Sequence, residues 1–272
     1  MRYLAPAKLN LFLHITGRRP DGFHNLETVF QLVDLHDEID IQVRDDAAIV
    51  REPPPLDPVL AGLTEDADLT VRAARLLQQA SDIRQGASIH VTKHIPAGGG
   101  LGGGSSDAAT VLRALNDLWQ LHWPEERLAD LGLQLGSDVP VFIHGRNAFA
   151  SGRGEVLTPV SLQPRWFLIV HPGVAVSTRE IFTDPRLTRD TPPLTMRALP
   201  PDGGRNDCEA VVRARHPEVA SALDLLAPHG ARLTGTGACV FTAFGDRAAA
   251  AAVALELPAR WRSFVVRGAQ DC

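Results

Sequence analysis

The sequence predicts an α/β protein of two domains, the first over residues 1–155 and the second over 156–272. Three observations carry that expectation. Residues 8–15 and 88–95 alternate apolar and polar side chains with a period of two, as half-buried strands do. A glycine-rich turn at 96–106 joins the second of these runs to a stretch with a helical apolar stripe. After about Glu155 the βα alternation restarts at Trp166, and a length of 272 residues suits two domains.

The elements follow in order. In the opening strand Leu9, Leu11, Leu13 and Ile15 share one face, and Lys8, Asn10, Phe12 and His14 share the other. Arg18 to Asn25 reads as a turn broken by Pro20 and Asp21-Gly22. A strand containing Ile39, Ile41 and Val43 comes next, and Pro53-Pro54-Pro55 marks a surface loop. Ala67 to Gln79 has the spacing of an amphipathic helix, with Leu69, Ala73, Leu76 and Leu77 on its apolar side. Ser88 to Ile95 is a strand with Ile89, Val91 and Ile95 inward and His90, Thr92 and His94 outward. Helices are expected at about Ser106 to Trp119 and Glu125 to Gln134. The second half holds a strand at Trp166 to Val170 and a loop rich in Pro, Thr and Gly over 183–204. It closes with Leu233 to Phe244, an alanine-rich helix from Asp246 and a strand at Ser263 to Val266.

Composition narrows the function. With 44% hydrophobic and 22% charged residues the chain can bury a core. Its net charge of −5 and lack of a basic run argue against nucleic acid or an anionic membrane as partner. The three cysteines, Cys208, Cys239 and Cys272, have no metal-ligand spacing, and His14, His90 and His94 form none either. An odd set of cysteines suits a reduced, cytoplasmic setting. The N-terminus makes a poor signal peptide, and the apolar run at Ala248 to Leu257 is too short to span a bilayer.

The turn Pro96-Ala97-Gly98-Gly99-Gly100-Leu101-Gly102-Gly103-Gly104-Ser105-Ser106 carries six glycines in eleven residues. Glycine lets a backbone approach a ligand closely, and the free N–H groups of the helix that follows favour an anion. Ser105 and Ser106 are candidates to cap that helix, or to offer hydroxyls to a phosphate or its magnesium. A Walker A loop is excluded, because no Gly-Lys-Ser/Thr ends the turn. Gly98, Gly100 and Gly103 also fit G-x-G-x-x-G. A dinucleotide fold would then place a strand ending in an acid after the helix, where Trp123-Pro124-Glu125-Glu126 reads as a helix start. A purely structural glycine turn is the remaining alternative.

The P-x-G-G-G-L-G-G-G-S-S stretch resembles the phosphate loop of the GHMP kinases. Pro6-Ala7-Lys8-Leu9-Asn10-Leu11, Asp21-Gly22-Phe23-His24, GSDVPVF at 136–142, His171-Pro172-Gly173, Asn206-Asp207 and LTGTGACV at 233–240 occur in the order of one branch of that family. This branch phosphorylates a cytidine diphosphate-linked methylerythritol in the non-mevalonate route to isoprenoids. The resemblance spans about residues 1–268 and implies an N-terminal domain like ribosomal protein S5 domain 2 and a C-terminal ferredoxin-like domain, with the active site in the cleft between them. It implies ATP as phosphoryl donor, magnesium carried with the ATP, and transfer to the 2-hydroxyl of the acceptor. A homoserine- or mevalonate-type kinase is the near alternative, and a non-catalytic nucleotide-binding regulator a further one.

Roles transfer by position. Asp138 matches the catalytic aspartate and Lys8 its partner lysine. A sugar-alcohol hydroxyl is far less acidic than a carboxylic acid, so Asp138 is expected to orient it and accept its proton late. Lys8 is expected to stabilise charge on the transferring group. Without the resemblance, Lys8 reads as a solvated strand-end lysine and Asp138 as a turn or cap acid before Pro140. Asn10 shares a face with Lys8 and is expected to hold substrate. Phe23 and His24 match the cytidine-recognising positions, by stacking and by hydrogen bonding, where many relatives carry tyrosine in place of Phe23. Phe182 is the second wall of that stack, with Thr178 near the ligand; ordinary packing accounts equally for both. Lys93 matches a residue beside the adenine nucleotide, and Asp68 stands where relatives have asparagine. Thr234-Gly235-Thr236-Gly237 matches a second small-residue loop, and Cys239 reads as packed.

Overall fold

The computed structural model describes residues 1–52, 64–194 and 203–269. The triple proline and part of the expected 183–204 loop lie outside the described residues. The chain forms two compact units that interleave in sequence. The first is Met1–Ala7, His36–Ile95 and Gly102–Gly145; the second is Lys8–Leu35, Pro96–Leu101 and Arg146–Cys272.

Two long strands supply residues to both units: β1 (Arg2–Arg18) and β2 (His24–Arg44), which pair with each other. Strand β2 begins at His24, well ahead of the expected Ile39, because Val29, Phe30, Leu32 and Val33 are all buried apolar residues. In the first unit Glu38–Arg44 of β2 pairs antiparallel with β4 (Gly86–Thr92), and β3 (Ile49–Glu52) pairs parallel with β4. Helix α1 (Leu69–Ser81) packs on α2 (Gly103–Leu118), and α2 on α3 (Glu125–Leu133) and α4 (Val139–His144). Ala73, Leu77, Leu112, Leu115 and Val139 of these helices are fully buried, as are the inward side chains Ile89 and Val91 of β4. The periodicities over 67–79 and 88–95 are therefore core-facing stripes.

In the second unit β2 pairs through Thr28–Phe30 with β5 (Ala148–Ser151), and β5 pairs with β6 (Val156–Pro159). A separate antiparallel sheet has the order β10-β7-β9-β8, from β7 (Trp166–His171), β8 (Arg232–Leu233), β9 (Val240–Phe244) and β10 (Arg262–Arg267). Leu168, Val170 and Val240 of this sheet form one core with Leu13 and Ile15 of β1. Helices α5 (Thr178–Thr183), α6 (Glu209–Arg215), α7 (Pro217–Leu226) and α8 (Arg247–Ala254) complete the unit. Asp246 caps α8 by accepting from Ala249 N at 2.9 Å, as its place before the alanines suggests. Among the described residues no helix is long and apolar enough to cross a membrane.

Candidate active site

Both faces of β1 are buried near Lys8, which explains why its polar side chains pair with one another. Lys8 and Asn10 are each 3% exposed. An ammonium removed from water needs acceptors. Lys8 Nζ donates to Asn10 Oδ1 at 2.5 Å and to Gly100 O at 3.1 Å. Asn10 then donates through Nδ2 to Thr28 Oγ1 at 2.9 Å, and Thr28 donates on to Phe12 O. The main-chain N–H of Asn10 donates to Thr234 Oγ1 at 2.9 Å. One network thus joins the first motif to the glycine turn and to the 234–237 loop. The alternative of a solvated strand lysine does not hold, because the ammonium is removed from water.

The glycine turn is tied down through its carbonyls. Gly98 O accepts from Ala238 N at 2.9 Å, Gly99 O from Cys239 N at 3.1 Å, and Leu101 O from Lys8 N at 3.0 Å. Gly100 has φ +74°, and a Cβ there would sit 2.3 Å from Thr234 O. Close packing against the 234–239 loop therefore demands glycine at this position. Cys239 is buried beneath Gly99, and burial pushes its thiol pKa up, so it is a packed residue and no nucleophile.

Helix α2 begins three residues before its expected start. Its N-cap is Gly102, in the left-handed region at φ 73°, with no side-chain cap bond. Ser105 and Ser106 are therefore not caps: both lie inside the first turn, because the glycines before them are themselves helical. Ser106 N is the donor that closes the first turn, onto Gly102 O at 2.9 Å. The N–H groups of Gly103, Gly104 and Ser105 precede it and have no carbonyl one turn back within the helix. Ser106 Oγ is buried and has no hydrogen-bond partner among the described residues.

In the same unit Lys93 donates to Asp37 Oδ2 and, at 2.7 Å, to Asp107 Oδ2. Asp37 also accepts from the N–H groups of His94 and Ile95. Burial pushes the Asp107 carboxyl above the ordinary carboxylate range, against the pull of Lys93. Its Oδ1 is buried and unpartnered among the described residues. The ammonium of Lys93 is thus held by two carboxylates, a pairing hidden in sequence because Asp37 lies 56 residues away. Asp68 caps α1 by accepting from Thr70 N at 2.8 Å, and pairs with Arg51 at 3.2 Å. Asp138 occupies the N-cap position of α4 ahead of Pro140, yet its side chain makes no cap bond. Asp138 does lie in the turn that Val139 N closes on Gly136 O at 3.2 Å, but its side chain does not serve as the helix cap.

The candidate cytidine residues all belong to the second unit. His24 stacks on Phe182, with ring centroids 5.3 Å apart and planes 28° apart. Phe23 is 52% exposed, large for a phenylalanine, and the Arg153 guanidinium lies 4.8 Å from its ring centroid. Thr178 and Thr236 share a hydroxyl–hydroxyl bond of 2.9 Å. Arg189 reaches His24 as well: its Nε donates to His24 Nε2 at 3.0 Å. Sequence reasoning missed Arg189, which lies in the irregular segment after α5 with no periodicity or motif to mark it.

Residues 68–146 match the family model for the GHMP kinases N terminal domain, and 196–263 that for the GHMP kinases C terminal domain. The chain is 54% identical over 265 residues to the 4-diphosphocytidyl-2-C-methyl-D-erythritol kinase of Pseudomonas syringae pv. syringae, covering 97% of this chain and 92% of that protein. The protein of the same name from Pseudomonas aeruginosa is also 54% identical, with the same coverage. A crystal structure of 4-(cytidine 5'-diphospho)-2C-methyl-D-erythritol kinase superimposes with a TM-score of 0.83 at 32% identity, over 99% of this chain and 100% of that one. The Methanococcus jannaschii mevalonate kinase shares the fold, with a TM-score of 0.70 at 16% identity over 99% and 98% of the two chains.

Proposed function

The chain belongs to the GHMP kinase family, and from that premise we infer that it transfers the γ-phosphoryl group of ATP to the 2-hydroxyl of 4-diphosphocytidyl-2-C-methyl-D-erythritol. The products are ADP and the 2-phosphate, a step of the methylerythritol phosphate route to isoprenoid precursors, carried out in the cytoplasm. The observation that carries the reading is the network from Lys8 through Asn10 and Gly100 to Thr234. It links three segments far apart in sequence, each of which matches a motif of the family. In domain terms, residues 1–155 carry the phosphate turn and the catalytic pair, and 156–272 form the second domain.

The N–H groups at the start of α2 bind the phosphates, with Pro96 to Ser106 as their frame. Lys93 supports that frame by fixing Asp107 of α2 to Asp37. Asp138 orients the acceptor hydroxyl and takes its proton as the bond to the transferring phosphorus develops. The buried Lys8 ammonium stabilises the charge that builds on the phosphoryl oxygens, where low dielectric makes it worth more than in water. Asn10 holds the acceptor, and Phe23, His24, Phe182 and Thr178 hold its cytidine. The unpartnered Ser106 hydroxyl fits a magnesium ion that arrives on the nucleotide, and such an ion would neutralise charge on the β- and γ-phosphates.

The test is the identity of the product. Phosphorus NMR of the reaction with ATP should show one new phosphomonoester on the acceptor and an intact cytidine diphosphate linkage. Phosphate on another oxygen, or none transferred, would refute the assignment.

A further inference from the structure

We propose that Arg189 fixes the tautomer of His24, so that the ring offers a single N–H at Nδ1 and thereby selects cytosine over uracil. The inference rests on the cytidine reading above and adds a specificity-determining residue to it.

An arginine guanidinium donates through every nitrogen and accepts through none. Arg189 is anchored from three sides: Nη1 donates to Leu187 O at 3.0 Å, and Nη2 donates to Phe182 O at 3.0 Å and Asp184 O at 2.7 Å. That leaves Nε–H aimed at His24 Nε2, 3.0 Å away. Nε2 must therefore accept. A proton on it would set two N–H groups against each other and place two cations in contact, so neither the Nε2–H tautomer nor the imidazolium fits.

The neutral ring then carries its proton on Nδ1. Among the described residues His24 has no second hydrogen-bond partner. Burial, with help from the charges of Arg189 and Arg18, holds its pKa below the ordinary imidazole value. Phe182 closes the arrangement, since its ring stacks on His24 while its carbonyl holds Arg189.

A fixed donor reads a pyrimidine edge. Cytosine presents acceptors at N3 and O2, whereas uracil presents an N–H at position 3. Opposite the Nδ1–H of His24, uracil would leave two donors facing with no acceptor, and an unmet buried donor is costly. Discrimination therefore needs Arg189 even though Arg189 need not touch the base.

The test combines nitrogen NMR of the full chain labelled at histidine with titrations of CDP and UDP. In the unaltered protein His24 should appear as the neutral Nδ1–H tautomer, and CDP should bind at least about tenfold more tightly than UDP. Arg189→Met removes the donor while keeping bulk; it should release the ring to mixed tautomers and shrink the CDP/UDP ratio severalfold. Arg189→Lys keeps a donor, so it should restore part of both, and it serves as the variant if Arg189→Met fails to fold. An Nε2–H or charged His24 in the unaltered protein would overturn the proposal. So would an Nδ1–H ring and an unchanged ratio in the variants. If neither CDP nor UDP moves the His24 resonances while the ring is Nδ1–H, the cytidine reading fails and the tautomer assignment stands.

Discussion

The ammonium of Lys8 donates a hydrogen bond to the main-chain oxygen of Gly100, 3.1 Å away, from a side chain almost wholly removed from water. A charge placed on the frame of the glycine turn is suited to stabilising developing negative charge, and less to gathering substrate. Lys8→Ala, with Lys8→Met as the shape-conserving form, should lower kcat by about 10²-fold or more, while the Kd for ATP changes little. Single-turnover kinetics and nucleotide titration separate the two. A large loss of ATP affinity with normal turnover would make Lys8 a binding residue.

Asp138 starts α4 without capping it through its side chain, so an amide in its place keeps the helix start. Asp138→Asn should fold normally and bind ATP, yet lose about 10²- to 10⁴-fold in kcat. Turnover near the original value would remove Asp138 from the proton-accepting role.

Glycine is required at some positions of the turn and merely tolerated at others. Gly100→Ala combines a left-handed φ with a Cβ 2.3 Å from Thr234 O, and should cost more than about 1–2 kcal/mol of stability. Gly104→Ala meets Leu69 Cδ1 at an ordinary 3.4 Å in a helical conformation, and should leave the Tm unchanged or raise it. Thermal unfolding of the pair checks this. Equal losses would mean that packing against the 234–239 loop is not what fixes Gly100.

The Asp37–Lys93–Asp107 cluster ties stability to pH. Because the folded protein raises the Asp107 pKa above its unfolded value, the folded state binds more protons in the interval between the two. Stability is then greatest below the ordinary carboxylate pKa, as far as this group is concerned, and is lost as pH rises through the raised one. The slope is at most about 1.4 kcal/mol per pH unit. Asp107→Asn keeps an acceptor for Lys93 and should flatten that part of the denaturation profile. An unchanged profile would show that Asp107 is not the titrating group.

Much of this was legible in the chain, and what was not had physical reasons. Period-two alternation placed Lys8 and Asn10 on one face of β1, and the structure joins them directly. The glycine turn announced a strand-to-helix junction, but the helix start was misplaced because Gly103 and Gly104 are helical despite poor propensity. Strands β5 and β6 and helices α5 to α7 escaped notice, being short and stabilised by tertiary packing that no local period records. The partners of polar groups were the least visible. Asp37 for Lys93, Thr234 for Asn10 and Arg189 for His24 come from 56, 224 and 165 residues away.

The central claim is the acceptor. ADP release should be followed with equal concentrations of 4-diphosphocytidyl-2-C-methyl-D-erythritol, homoserine and mevalonate. Turnover is expected with the cytidyl compound and only background with the other two; turnover with homoserine or mevalonate matching or exceeding it would overturn the assigned acceptor.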